Sequence, residues 1–210
     1  MLPTIVLTSI ERTLHQAWER FCGDLPFVRT HFGSIFEVDC QAIVSPANSF
    51  GFMDGGIDLL YSRRFGWGVQ KRLQELIRQE HGGELLVGAA AIVPTEDEQI
   101  PFVIAAPTMR VPMTLRDSVN PYLATRAVLL LWKNGRLPDG SPIKETVKTI
   151  AFPGMGTGTG QVGFDVCAHQ VRAAIDDVLL ETRPFPRTWA EASDDHQKLY
   201  TDRPRNMQKA

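Results

Sequence analysis

Cysteine is scarce in this chain: three residues, Cys22, Cys40 and Cys167, scattered and odd in number. None stands in a CxxC pair or at a Cys/His metal spacing, so the better reading is buried thiols in a reducing cytoplasm. The five histidines (His15, His31, His81, His169 and His196) are equally dispersed, with no HExxH or HxH cluster. No metal site and no cofactor are expected from that pattern. Charge of one sign is also missing. Lys and Arg total 22 against 24 Asp and Glu, a net charge of −2. That balance gives no electrostatic footprint for broad nucleic-acid binding. A phosphate-bearing ligand must then be held by local backbone donors rather than by a basic face. No apolar run reaches the ~20 residues that cross a bilayer, so no membrane partner is expected. The Met1-Leu2-Pro3-Thr4 start lacks a basic n-region and a long apolar stretch. The expectation is no signal peptide and a cytoplasmic location.

What is present suits a globular protein. With 210 residues, 43% hydrophobic and 22% charged, the chain is long enough for one domain with a real core. We expect a single domain over residues 1–182 and a polar, proline-containing tail over 183–210, with at most a short helix near 196–200. Apolar, β-branched runs predict strands at 4–8, 27–36, 41–46, 85–93, 102–106 and 146–152. Helical spacing of apolar residues predicts helices at 14–21, 58–65, 69–80 and 165–180. A further helix runs from Asn120, as N-cap with Pro121 at the first position, to about Lys133. Alternation of this kind argues for helices on both faces of one sheet, an α/β class.

Two glycine-containing loops carry the chemistry. Between Ser45 and Asp58 the chain reads SPANSFGFMDGGID. An apolar strand ends in Pro46, a side-chain amide follows at Asn48, and Asp58 lies just beyond Gly55, Gly56 and Ile57. An amide and a carboxylate across a glycine turn at a strand end are placed to face one ligand, where open α/β sheets bind theirs. The bland alternative is a turn with an Asn cap and a helix-starting Asp. From Phe152 to Gly163 the chain reads FPGMGTGTGQVG, between a strand and a helix. Glycines in that position bring backbone N–H groups close to an anion, beside a helix N-terminus. Residues 158–163 also satisfy GxGxxG. That dinucleotide fingerprint needs a later strand with an acid about 20 residues on, and only a polar tail follows here. No GK[ST] occurs in the loop, which excludes a Walker A motif.

Taken together, the two runs resemble the two signatures of the macro domain family. Pro46-Ala47-Asn48 stands where that family has Ala-Ala-Asn, and Gly56-Ile57-Asp58 where its de-mono-ADP-ribosylating branch has Gly-Val-Asp. Ala151-Phe152-Pro153 matches the strand end of the second signature, and Thr157-Gly158 its Thr-Gly. The resemblance covers residues 28–182. It implies a three-layer α/β/α sandwich with a central mixed sheet, binding ADP-ribose or an ADP-ribosylated protein. It further implies that Gly156, Thr157, Gly158, Thr159 and Gly160 wrap the diphosphate, with Gly55, Gly56 and Ile57 on its other side. Asn48 would fix the distal ribose, and Asp58 would activate a water, as in a mono-ADP-ribosyl hydrolase. The alternatives are a non-catalytic ADP-ribose reader and a phosphatase acting on ADP-ribose 1″-phosphate. Asp54 is a second acid in the loop with a less fitting spacing. Phe36, Phe50, Phe52, Phe164 and Trp189 are candidates to stack on adenine or ribose, although most aromatics in such chains are core.

Three departures matter. Gly33-Ser34-Ile35 replaces the family's Gly-Asp-Ile, whose Asp bonds the adenine amino group, so Ser34 and Ile35 admit another base, guanine included. Ala105 and Ala106 follow Val103-Ile104 where a His is common. Gly55 stands near the position of the lysine on which a related branch depends.

Overall fold

The β-branched start of the chain forms β1 (Thr4–Ser9), and strands alternate with helices from there on. The computed structural model describes residues 1–200. After β1 come α1 (Arg12–Cys22), β2 (Val28–Phe32), a 3₁₀ turn (Ile35–Glu37) and β3 (Ala42–Ser45). Two helices follow, α2 (Gly56–Phe65) and α3 (Gly68–Glu80), then β4 (Ala91–Pro94) and β5 (Phe102–Ala105). The chain continues through α4 (Asn120–Asn134), the short α5 (Ile143–Thr146), β6 (Thr149–Phe152), α6 (Phe164–Val178) and α7 (Trp189–Lys198). The strands form one sheet in the order β2-β1-β6-β3-β5-β4. All neighbours run parallel except β4 and β5, so the sheet is mixed as expected.

Alternation along each strand divides the core in two. Ile5, Leu7, Val44, Ile104, Ile150 and Phe152 point to the layer formed with α1, α4 and α6, where Trp18, Val128 and Val171 are buried. Val6, Ile43, Val103 and Ala151 point the other way, against Tyr61 of α2 and Val69, Leu73 and Ile77 of α3. This is a three-layer α/β/α sandwich. Strands buried on both faces read as continuous apolar runs, and TIVLT and AIV do so. Among the described residues no helix is long and apolar enough to cross a membrane.

Several elements differ from the sequence expectation, and their hydrogen bonds and caps show why. Residues 85–90 leave the sheet, because the Leu85 N–H donates to Ser49 O (2.9 Å) and Ala89 N–H closes a turn on Leu86 O (2.9 Å); only Ala91–Pro94 pairs with β5. β2 stops at Phe32 rather than 36, since Ser34 caps the following 3₁₀ turn. Asn120 is the first helical residue of α4 instead of its N-cap, and its amide donates to Thr108 O (2.7 Å). Thr146 closes α5, so β6 begins at Thr149. In the C-terminal segment the helix is longer and starts earlier than the short helix expected near 196–200. α7 is capped by the Thr188 side chain, and Lys198 O lies 2.7 Å from His169 Nε2 of α6. Residues 201–210 of the expected tail lie outside the described residues.

β3 and β6 are adjacent and parallel at the sheet centre. Their carboxyl ends therefore open on the same side, and the loops after them, together with the one after β1, meet there.

Candidate functional site

At that edge lies a cavity of about 460 Å³. Every site residue expected from the sequence lines it: Ser34, Ile35, Asn48, Gly55, Gly56, Ile57, Asp58, Gly156, Thr157, Gly158, Thr159 and Gly160. The two glycine loops, far apart in sequence, both line it. Asp54, Phe36 and Phe52 also reach it. Phe50 instead lines a second recess behind the loop, with the Arg110 guanidinium over its ring. Phe164 is half-buried at the start of α6, and Trp189 is exposed on α7.

Asp58 sits in the first turn of α2, where a carboxylate favours the helix dipole. Its side chain is buried, and Oδ1 accepts a hydrogen bond from the Ser45 hydroxyl at 2.5 Å. Burial pushes its pKa up to about 7, and the Ser45 bond opposes that rise. The carboxyl thus exchanges its proton near neutrality before any ligand arrives. Burial also raises the Tyr61 phenol well above its ordinary range, with the nearby Asp58 charge adding to it.

Asn48 is placed differently from a free ligand-reading amide. Its Oδ1 accepts from Phe50 N (3.1 Å) and Phe52 N (3.2 Å), and its Nδ2 donates to Phe52 O (2.9 Å). The amide therefore shapes the loop that carries Gly55 and Gly56, and one N–H remains for a ligand. Ser34 is likewise engaged: Oγ accepts from Phe36 N, and Ser34 N donates to the Glu37 carboxylate.

The start of α2 has Gly55 at its N-cap and no side-chain cap, which leaves first-turn N–H groups available. The second loop is braced from within and from outside. Val162 N donates to Gly156 O (3.1 Å), Gln161 N to Gly158 O (2.9 Å) and Leu115 N to Gly160 O (2.7 Å). Gly156 has φ +70°, a conformation that side chains rarely adopt. α6 then begins behind Gly163, also without a side-chain cap. Among the described residues no Lys, Arg or His lines the cavity, whereas Glu11, Asp54 and Asp58 do. The donors that face an anion there are backbone N–H groups and two helix N-termini, with Thr hydroxyls and the remaining Asn48 N–H beside them. Among the described residues no group of three or more His, Cys, Asp or Glu side chains is arranged to hold a metal.

Sequence reasoning missed several contributors, Glu11 from the segment after β1 among them. Ser45, the partner of Asp58, was visible only as a strand end. Thr108 and Pro112, from the loop after β5, line the cavity without a local motif to announce them.

The model of the macro domain family matches residues 44–171. An uncharacterized protein of Aquifex aeolicus is 36% identical over 146 residues, covering 70% of this chain and 77% of its own length. One from Aeropyrum pernix is 30% identical over 155 residues, covering 74% and 72%. Among solved structures, the macrodomain of Mycobacterium tuberculosis DarG superposes with a TM-score of 0.56 at 18% identity, over 69% of this chain and 87% of that one. A variant of the Oceanobacillus iheyensis macrodomain with ADPR gives 0.57 at 22% identity, over 71% and 76%. Identities at that level speak to the fold.

Proposed function

Because this chain belongs to the macro domain family, we propose that the cavity binds ADP-ribose and that the protein hydrolyses the bond joining ADP-ribose to a protein acceptor. The observation that carries the hydrolase reading is Asp58, a buried carboxyl opening on the ligand cavity with its pKa near 7.

In this reading the diphosphate lies between Gly156–Gly160 and the start of α2, held by backbone donors. The distal ribose faces Asn48 and Asp58. A water attacks the anomeric carbon, the carbon–oxygen bond to the acceptor breaks, and the acceptor carboxylate leaves with the electron pair. Asp58 takes the proton of the water. A general base works best when its pKa lies near the operating pH, and burial places Asp58 there. The bound diphosphate, a like charge, raises it further. Glu11, Asp54 and Asp58 make the cavity unfavourable to excess negative charge, so binding rests on well-directed N–H groups.

One observation favours a second reading, a non-catalytic reader of ADP-ribose. Three of the hydrogen bonds Asn48 makes serve the loop rather than a substrate.

Calorimetry with ADP-ribose, with AMP, NAD and GDP-ribose as comparators, tests the ligand. Release of ADP-ribose from a mono-ADP-ribosylated protein tests the reaction. Binding with no release by the wild type identifies a reader; no binding of ADP-ribose removes both readings.

A further inference from the structure

Ser45 is the last residue of β3, fully buried, and pairs in register with Ala105 of β5. A hydroxyl sealed at such a position costs stability unless it is bonded. Its partner is Oδ1 of Asp58, at 2.5 Å. Among the described residues Oδ2 of Asp58 has no hydrogen-bond partner, and it is not one of the sealed polar atoms. With Oδ1 engaged by Ser45, Oδ2 is the oxygen left to meet the cavity that Asp58 lines. The two oxygens of one carboxyl are thus divided between the protein interior and the ligand space.

Among the described residues no cation shares this division. β3 and β5 carry no titratable side chain beside Asp58. On α2 the neighbour is Tyr61, whose hydroxyl donates to Val44 O at 3.0 Å and stays neutral in its burial. The preceding loop contributes Asp54 and the segment after β1 contributes Glu11, both like charges, while the phosphate loop lines this cavity with Pro, Gly and Thr. Ser45 is the one group that donates to the Asp58 side chain among the described residues.

We propose that Ser45 is a positioning residue, clamping Oδ1 of Asp58 so that Oδ2 alone faces the substrate and setting the pH range in which that oxygen accepts a proton. The catalytic consequence rests on the hydrolase reading; the clamp itself does not. A hydroxyl donor favours the ionised carboxyl, because its hydrogen bond to an anion is stronger than to the neutral acid. Without it, Oδ1 remains buried and undonated, and ionisation becomes harder.

The test is an NMR titration of the Asp58 side-chain carboxyl carbon in the full chain, for wild type, Ser45→Ala and Ser45→Thr. Melting curves and pH–rate profiles are recorded on the same samples. The expected result is a midpoint raised by about one unit in Ser45→Ala, restored in Ser45→Thr, as a charge-assisted hydrogen bond of ordinary strength implies. The rise of kcat with pH moves by the same amount, while ADP-ribose affinity changes less than about threefold, well within one pKa unit of free energy. Ser45→Cys keeps the volume with a weaker donor and replaces the alanine variant if that does not fold; its midpoint is also raised. An unchanged Asp58 midpoint in a folded Ser45→Ala or Ser45→Cys overturns the proposal. If the wild type releases no ADP-ribose, the hydrolase reading falls, and the titration still decides the clamp.

Discussion

The side chain of Asn48 grips the backbone of Phe52 from both sides, accepting from its N–H at 3.2 Å and donating to its C=O at 2.9 Å. A residue that resembles a ligand-reading amide in sequence is thereby a brace for the loop that reaches the ligand. Replacing it by alanine removes three hydrogen bonds and leaves the part-buried Phe50 N–H without its partner. We expect Asn48→Ala to cost about 1–3 kcal/mol in urea unfolding. Asn48→Asp, which keeps both acceptor bonds, should cost less. Equal stability of all three proteins would show that the brace is not needed.

Asp58→Ala should lower turnover on a mono-ADP-ribosylated protein by about 10²–10⁴-fold, the range for a lost general base. ADP-ribose affinity should hold or improve, since a like charge leaves the diphosphate site. Full turnover in this variant would exclude Asp58 as the base, and Asp54 would be next to test.

The same carboxyl predicts how stability depends on pH. Its folded pKa, about 7, lies above the unfolded value for an aspartate, so between the two the folded state binds the extra proton. That contribution is fully present below the unfolded pKa and is lost as pH rises through about 7. Denaturation at pH 5 and pH 8 should show the wild type losing stability on going up, by up to a few kcal/mol. Asp58→Asn should flatten that slope. An identical slope in both proteins would mean that Asp58 titrates normally.

Two glycines of the second loop should respond in opposite ways. A Cβ on Gly158 would meet no atom within 4 Å, whereas one on Gly160 would lie 2.4 Å from Gly156 O. Gly158→Val should therefore melt close to the wild type and bind ADP-ribose at least about tenfold more weakly, a loss of 1.4 kcal/mol or more. Gly160→Val should lose stability itself. Unimpaired binding by Gly158→Val would place the diphosphate elsewhere.

Much of this molecule is legible in local patterns. Apolar runs such as TIVLT and AIV announce strands because both sheet faces are covered, and α3 and α6 show their buried stripes at helical spacing. The failures occur where a distant partner overrides local preference. Residues 85–90 are apolar enough for a strand, but Leu85 N–H is claimed by Ser49 O, thirty-six positions back in the chain (85 minus 49). Asn120 has the chemistry of a cap, but Thr108 O claims its amide.

By itself the sequence determined the α/β alternation, the two glycine loops and the residue types that line the cavity, because hydrophobic period and glycine backbone freedom act over a few residues. The tertiary structure decided which of those residues are free to act. Only the parallel pairing of β3 with β6 brings the two loops to one cavity. Only burial between β3 and α2 gives Asp58 a hydroxyl partner and a pKa near 7. Desolvation depends on everything packed around a group, and no spacing along the chain encodes it.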